Sequence, residues 1–201
     1  MTSLKSKFVL ALCGAVLTPV LGICQENSTY KSEVSVESFL PIVKGTTADG
    51  VQQSTSLSGG VFAGYRFFFG MHSGVEVSYG YSRSTETYNI ANGPTGVGSN
   101  SDEFFAAYVF RFQRKRWSPF FLAGVGGLLF DPRTAPGLNV QARAGYLYGG
   151  GTDFNIHGRL FLRAEYRGIV YDSPTFNLNV LSGLDRFTHR AEPAIGFGYR
   201  F

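Results

Sequence analysis

The sequence predicts an all-β fold: an eight-stranded antiparallel up-and-down β-barrel that crosses a membrane with its strands and follows an N-terminal signal peptide. About eight segments of roughly ten residues alternate apolar and polar side chains, as strands do between lipid and a polar interior. Charged residues make up only 16% of the chain and aromatic residues 15%, against a usual charged share of ~25%. Beyond residue 24, no apolar run is long enough for a membrane-spanning helix.

Residues 1–24 are predicted to be a secretory signal peptide. Lys5 and Lys7 form a positive region, and an apolar stretch follows from Phe8 to about Ile23. A transmembrane helix needs roughly 20 apolar residues, and Pro19 interrupts this shorter stretch. We therefore expect removal of the segment during export.

The cleavage site is expected between Cys24 and Gln25, because Gly22 and Cys24 supply the small residues that precede such a site. The barrel domain then comprises residues 25–201. In an alternative interpretation Cys24 is the lipid-modified first residue of a lipoprotein, with Leu21 three positions before it.

Cleavage after Cys24 removes both cysteines of the chain, Cys13 and Cys24, so no disulfide or thiol chemistry is expected. It also removes two lysines and no acidic residue, and the formal net charge falls from +4 to +2. A nearly balanced charge does not indicate nucleic-acid binding.

Eight strands are predicted from the alternation: residues 33–40, 57–66, 75–82, 104–112, 119–130, 140–148, 159–170 and 190–201. In the last of these, Ile195 and Phe197 share a predicted lipid face while Arg190 and Glu192 share the interior face. Strand 119–130 is apolar on both faces, which leaves its orientation open.

The connections between these strands alternate in length. Short or glycine-rich turns are predicted at 69–72, 113–116 and 149–157, and longer polar loops at 44–55, 89–101, 131–137 and 172–186. In outer-membrane barrels the short turns face the periplasm and the long loops face outward. We therefore expect both termini on the periplasmic side.

The segments LRAEYRGIVY at 162–171 and IGFGYRF at 195–201 resemble strands of the small outer-membrane barrels typified by OmpX, OmpW and the membrane domain of OmpA. The resemblance implies a monomer in the cell outer membrane, with outer-membrane lipids, the barrel-assembly machinery and periplasmic chaperones as partners. Phe197, Tyr199 and Phe201 resemble the terminal signal that this machinery recognises. No segment follows Phe201, so we expect no peptidoglycan-binding domain of the OmpA type.

The predicted interior carries arginines and glutamates, which are costly to bury unpaired. The lumen ion-pair candidates are Glu33, Glu37, Arg66, Glu76, Arg111, Arg143, Arg163, Glu165, Arg167, Glu192 and Arg200. Counting from the turn centres places Arg66 opposite Glu76, Arg143 opposite Glu165, Arg167 opposite Glu192, and Arg200 near Glu33 or Glu37. These pairs predict a polar plug.

A plugged interior favours a structural or surface-interaction barrel, because eight strands leave room only for side chains. The alternative function is a narrow channel or uptake barrel for small solutes, and the alternative fold is a soluble lipocalin-type barrel with its faces reversed. A lipid A-modifying enzyme using His72 with Ser73, or His189 with Glu192, is the least favoured hypothesis. The three histidines show no ligand-like spacing, and we predict no catalytic residue, cofactor or metal site. The outer-loop partner stays open.

Overall fold

The computed structural model describes residues 30–43, 47–48, 51–55, 59–90, 93–112, 114, 116–132, 140–172 and 187–201. The predicted signal peptide at 1–24 lies outside these residues, so its boundary stays a prediction. Within the described part, no helix is long and apolar enough to cross a membrane.

The described chain forms one antiparallel sheet that closes on itself. In chain order the strands are β1 (Ser32–Phe39), β2 (Ile42–Val43), β3 (Thr47–Ala48), β4 (Val51–Thr55), β5 (Gly60–Phe68), β6 (Ser73–Ile90), β7 (Gly93–Arg111), β8 (Trp117–Pro132), β9 (Gln141–His157), β10 (Leu160–Asp172) and β11 (Phe187–Arg200). Eight of them form a ring in the order β1, β5, β6, β7, β8, β9, β10, β11, and β11 pairs with β1. The predicted eight-stranded closed barrel is confirmed.

The strands bury alternate residues, as the period-two pattern predicts. On β11, Arg190 and Glu192 are 3% and 0% exposed, whereas Phe197 is 64% exposed. Charged side chains therefore face inward and apolar side chains outward, so the lipocalin-type arrangement is wrong. On β8, Phe120 points inward and Phe121 outward, which settles the orientation that the sequence left open.

The predicted turn at 149–157 is wrong, because these residues belong to strand β9. Its glycines serve close strand packing: a Cβ added at Gly149 would lie 2.3 Å from the carbonyl oxygen of Tyr166, and one at Gly151 would lie 2.4 Å from that of Ala164. The chain turns instead at Gly158, whose φ of 58° is one that L residues rarely adopt. Arg159, which the alternation assigned to the interior, lies exposed in this turn.

The barrel end opposite the short turns is more regular than predicted. The predicted loop at 89–101 is largely a hairpin, in which β6 pairs with β7 as far out as Ile90 and Gly93. Strand β5 accompanies β6 only up to Ser82, and beyond that point β4 pairs with β6. The long predicted loop at 172–186 lies outside the described residues after Asp172.

Candidate functional site in the barrel lumen

The barrel interior holds a dense set of charges. Among the described residues, seven acidic and six arginine side chains are buried: Glu33, Glu37, Glu76, Glu103, Asp153, Glu165 and Glu192, with Arg66, Arg111, Arg163, Arg167, Arg190 and Arg200. They group into three layers along the barrel axis, named here inner, middle and outer, with the inner layer next to the short turns.

The inner layer consists of Glu33, Arg111, Asp153, Arg163 and Arg200. Arg163 donates from Nε and Nη2 to the two carboxylate oxygens of Asp153, at 2.7 and 3.0 Å, and from Nη2 to Glu33 at 3.1 Å. Arg200 Nε donates to Glu33 at 2.8 Å, and Arg111 also donates to Glu33. One carboxylate thus receives hydrogen bonds from three arginines, each charge-assisted and therefore stronger than a neutral bond.

The middle layer consists of Glu37, Arg66, Glu76 and Glu165. Arg66 donates from Nε to Glu76 and from Nη2 to Glu165, the second at 2.9 Å. Glu37 accepts a hydrogen bond from the Ser35 hydroxyl at 2.9 Å. A single guanidinium therefore joins carboxylates from two different strands.

The outer layer consists of Glu103, Arg167, Arg190 and Glu192. Arg190 Nε lies 2.6 Å from Glu192, and Arg190 Nη2 lies 3.4 Å from Glu103. Arg167 lies 3.8 Å from Glu103 and donates to the Ser78 hydroxyl at 3.1 Å. These contacts are on average longer than those of the inner layer, so we expect the outer layer to be held less rigidly.

Several ion pairs cross the lumen instead of joining neighbouring strands. Arg111 on β7 meets Glu33 on β1, although β5 and β6 lie between them, and Arg66 on β5 meets Glu165 on β10 across β1 and β11. In the outer layer, Arg190 donates to the Ser101 hydroxyl on β7, the strand opposite β11 in the ring. Each layer therefore contains at least one interaction that spans the interior.

Phenylalanine rings fill the space between the charges. Each of the six buried arginines has its guanidinium carbon over a ring: Arg66 over Phe120 at 4.0 Å, Arg111 over Phe68 at 3.6 Å, Arg163 over Phe161 at 4.9 Å, Arg167 over Phe62 at 4.5 Å, Arg190 over Phe39 at 5.7 Å and Arg200 over Phe161 at 4.5 Å. Such stacking stabilises a cation on the ring face.

Glycines on neighbouring strands provide the space for the largest interior groups. A Cβ added at Gly198 would lie 2.1 Å from the Phe161 ring, and one at Gly80 would lie 2.5 Å from the Glu103 carboxylate. The glycine content of this chain is thus partly explained by what its neighbours place in the lumen.

The lumen also has an apolar side, lined by β7 to β10. Leu122, Leu128, Leu147 and Ile169 are 4% exposed or less and belong to one buried cluster. Because β8 contributes no charged residue to the interior layers, the polar plug predicted from the sequence is in fact a mixed polar and apolar filling.

The structure places ten of the eleven predicted lumen residues in the buried set, and Arg143 is half-buried. Arg66 lies opposite Glu76, Arg167 opposite Glu192, and Arg200 opposite Glu33, as the counting predicts. The closest partners of Arg167 and Glu192 are nevertheless other residues.

The predicted pairing of Arg143 with Glu165 is wrong. Arg143 lies opposite Leu128 on β8, and Glu165 lies opposite Gly151 on β9. The register differs because the hairpin turns at Gly158 and not within 149–157.

Three lumen charges were not among the predicted sites: Glu103, Asp153 and Arg190. Glu103 lies an even number of residues before Arg111 and therefore on the same face of its strand. Extending the alternation of that strand outward would have identified it. Asp153 fell in the segment predicted as a turn. Arg190 was assigned to the interior face of its strand, but without a predicted partner.

The histidines of the least favoured enzyme hypothesis lie outside the charged layers. His72 Nδ1 lies 2.8 Å from the carbonyl oxygen of Arg111 at a short turn, and His189 Nε2 lies 2.7 Å from the Tyr148 hydroxyl. Within the described residues, no group of three or more His, Cys, Asp or Glu side chains is arranged to hold a metal ion.

The closed barrel, its apolar exterior and its charged interior agree with the sequence comparison. Residues 13–201 match the outer membrane protein beta-barrel domain family. The chain belongs to this family. It is therefore an outer-membrane β-barrel protein that contacts the lipids of that membrane. Comparison with curated protein sequences finds no match.

Solved structures of the same fold include OprG from Pseudomonas aeruginosa, with 12% identity over 86% of this chain and 96% of that one and a TM-score of 0.62. Neisserial surface protein A has 10% identity over 85% and 97% of the two chains and a TM-score of 0.60. Ail of Yersinia pestis, solved with the heparin analogue sucrose octasulfate, has 22% identity over 86% and 99% and a TM-score of 0.56. These similarities establish the fold.

Proposed function

We propose that this family member is a closed, non-conducting barrel with a structural or surface-interaction role and no catalytic activity. The observation that carries the proposal is the set of interactions that span the lumen in all three layers. Arg111 with Glu33, Arg66 with Glu165, and Arg190 with Ser101 cross the interior at successive heights. A solute moving along the axis would have to displace all three.

Among the described residues, the part of the chain best placed for a surface role is the extended β6–β7 hairpin. Because β5 ends its pairing with β6 at Ser82, the eight residues 83–90 continue beyond β5. At about 3.3 Å per residue, this extension measures roughly 25 Å. Short turns of outer-membrane barrels face the periplasm, so the hairpin would stand at the cell surface.

Planar-bilayer conductance of the refolded protein tests the closed barrel against the channel alternative. We expect no steady conductance steps from protein whose heat-shifted gel mobility shows that it is folded. Reproducible ohmic steps in proportion to the inserted protein would contradict a closed lumen and support the channel.

The absence of catalysis needs a separate experiment. Lipid A from cells that make the protein should have the same mass spectrum as lipid A from cells that make a His72→Ala, His189→Ala variant. A modified lipid A species that depends on either histidine would show that the barrel is an enzyme.

We also propose that residues 1–24 direct export and that Phe197, Tyr199 and Phe201 are the signal for the barrel-assembly machinery. Phe197 and Tyr199 on the last strand and Phe201 directly after it are all exposed, which supports this assignment. In the closed barrel both edges of β11 are paired, with β1 and with β10, so a receptor that pairs with the terminal strand would bind it before the barrel closes.

A further inference from the structure

The short-turn end of the barrel carries exposed cations. Lys31, Arg114, Arg116 and Arg159 are exposed at this end and are named here the cationic rim. Among the described residues, the side-chain carboxylates nearest to it are those of Glu33 and Asp153, which are 1% and 0% exposed. Both are already engaged in the inner layer, so among the described residues the rim has no neighbouring exposed side-chain carboxylate.

The described residues of the opposite end differ in charge from the rim. There the side chains of Asp102, Asp131 and Asp172 are half-buried rather than enclosed in the lumen, and Arg83 is exposed. As far as the structure describes them, the two ends of the barrel therefore carry different arrangements of charge.

Aromatic side chains hold the rim guanidiniums against the barrel wall. The Arg114 guanidinium carbon lies 5.5 Å from the Trp117 ring, and that of Arg159 lies 5.5 Å from the Tyr30 ring. Arg159 also donates to the Tyr199 hydroxyl at 3.4 Å. Tryptophan and tyrosine concentrate at the level of the lipid headgroups, so these contacts keep the cations at headgroup depth.

We propose that the cationic rim binds the phosphate groups of anionic phospholipids in the leaflet at the short-turn end. Guanidinium groups pair with phosphate oxygens through parallel hydrogen bonds. An anionic headgroup here meets no exposed side-chain carboxylate of the described residues. Acyl chains below that headgroup meet the exposed aromatic surface of Phe112, Trp117 and Phe154.

Trp117 makes the test specific, because it is the only tryptophan of the chain and stacks on a rim arginine. The folded protein is placed in vesicles of phosphatidylcholine that contain either dibrominated phosphatidylglycerol or dibrominated phosphatidylcholine as quencher. Each interfacial cation favours an anionic lipid by roughly fivefold. We expect the anionic quencher to bind beside Trp117 at least several-fold more tightly. Both leaflets have one composition, so the result does not depend on the direction of insertion.

The variant Arg114→Gln, Arg116→Gln should reduce this preference towards equality. Arg83→Gln, which removes an exposed arginine at the opposite end, is the matched control and should leave it unchanged. Added salt should weaken the preference in the unmodified protein, because screening reduces interactions between exposed charges. The salt experiment uses the unmodified protein, so it does not depend on whether a variant folds. Equal quenching by the two brominated lipids, or a preference that survives both the double substitution and high salt, would overturn the proposal.

Discussion

Replacing Arg163 with methionine removes the guanidinium that joins the inner layer while keeping much of the side-chain length. Arg163 is 1% exposed. It donates to both carboxylate oxygens of Asp153, to Glu33 and, at 3.2 Å, to the Ser35 hydroxyl. In the variant, Glu33 keeps its hydrogen bonds from Arg111 and Arg200, whereas Asp153 keeps one from Arg200 at 3.3 Å. The main cost is therefore a buried carboxylate with too few partners.

Breaking a buried ion pair by removing one partner costs about 3–5 kcal/mol, and this is the loss of unfolding free energy that we expect for Arg163→Met. Replacing both partners should cost less than the sum of the two single changes, because the double variant no longer contains the Asp153 carboxylate that Arg163→Met alone leaves with too few partners. A double-mutant cycle with Asp153→Leu should therefore give a coupling energy of about 0.5–3 kcal/mol.

The assay is equilibrium urea unfolding in lipid vesicles, followed by the heat-shifted gel mobility of the folded barrel. Arg83→Met, at an exposed position beyond the end of β5, is the control and should change the unfolding free energy by less than ~0.5 kcal/mol. If Arg163→Met matched this control, or if the cycle showed no coupling, the reasoning about the inner layer would be refuted.

Three further predictions concern the wall, the interior packing and assembly. Phe197→Arg on the lipid face should lower the free energy of unfolding by ~2–4 kcal/mol if the site lies near the membrane midplane. Phe187→Arg, exposed at the far end of the same strand, should lower it by only ~0–1 kcal/mol. Equal losses in urea unfolding would mean that the lipid face is misassigned. Gly198→Val should lower the free energy of unfolding by ~1–3 kcal/mol, because the added side chain overpacks against Phe161. Combining it with Phe161→Ala should lower the free energy by less than the sum of the two single losses. Additive losses would mean that the clash involves another residue. Deleting Phe201 should lower the yield of assembled barrel but not signal-peptide processing, and an unchanged yield in membrane fractions would show that this residue is no assembly signal.

The sequence predicts the barrel well because period-two alternation is a direct consequence of strand geometry. Each strand has one face toward lipid and the other toward the interior. The face on which Phe197 or Glu192 lies can therefore be predicted from its own strand alone, without knowing which strands are its neighbours. The β9–β10 turn was misplaced for a different reason. Glycine serves both turns and close strand packing, and only the three-dimensional neighbours of Gly149 and Gly151 distinguish the two.

The site was predicted only as far as hairpin neighbours determine it. Counting from a correctly placed turn brings Arg66 opposite Glu76, whereas the misplaced turn gives a wrong partner for Arg143. Interactions across the lumen, such as Arg111 with Glu33, depend on barrel closure and on how long side chains reach over the axis. Alternation along single strands contains neither piece of information.

The central claim is that arginines and carboxylates pair inside the barrel, and solid-state NMR in lipid bilayers tests it most directly. The protein is labelled with ¹⁵N in the arginine guanidiniums and with ¹³C in the glutamate and aspartate carboxylates. The experiment measures how strongly the carboxylate ¹³C nuclei dephase the guanidinium ¹⁵N signals through their dipolar coupling. We expect most lumen guanidiniums to lie at hydrogen-bonding distance from a carboxylate, with the Asp153 contribution reduced in Arg163→Met to its contact with Arg200. Guanidinium signals that show no carboxylate dephasing, but exchange freely with water, would contradict the account.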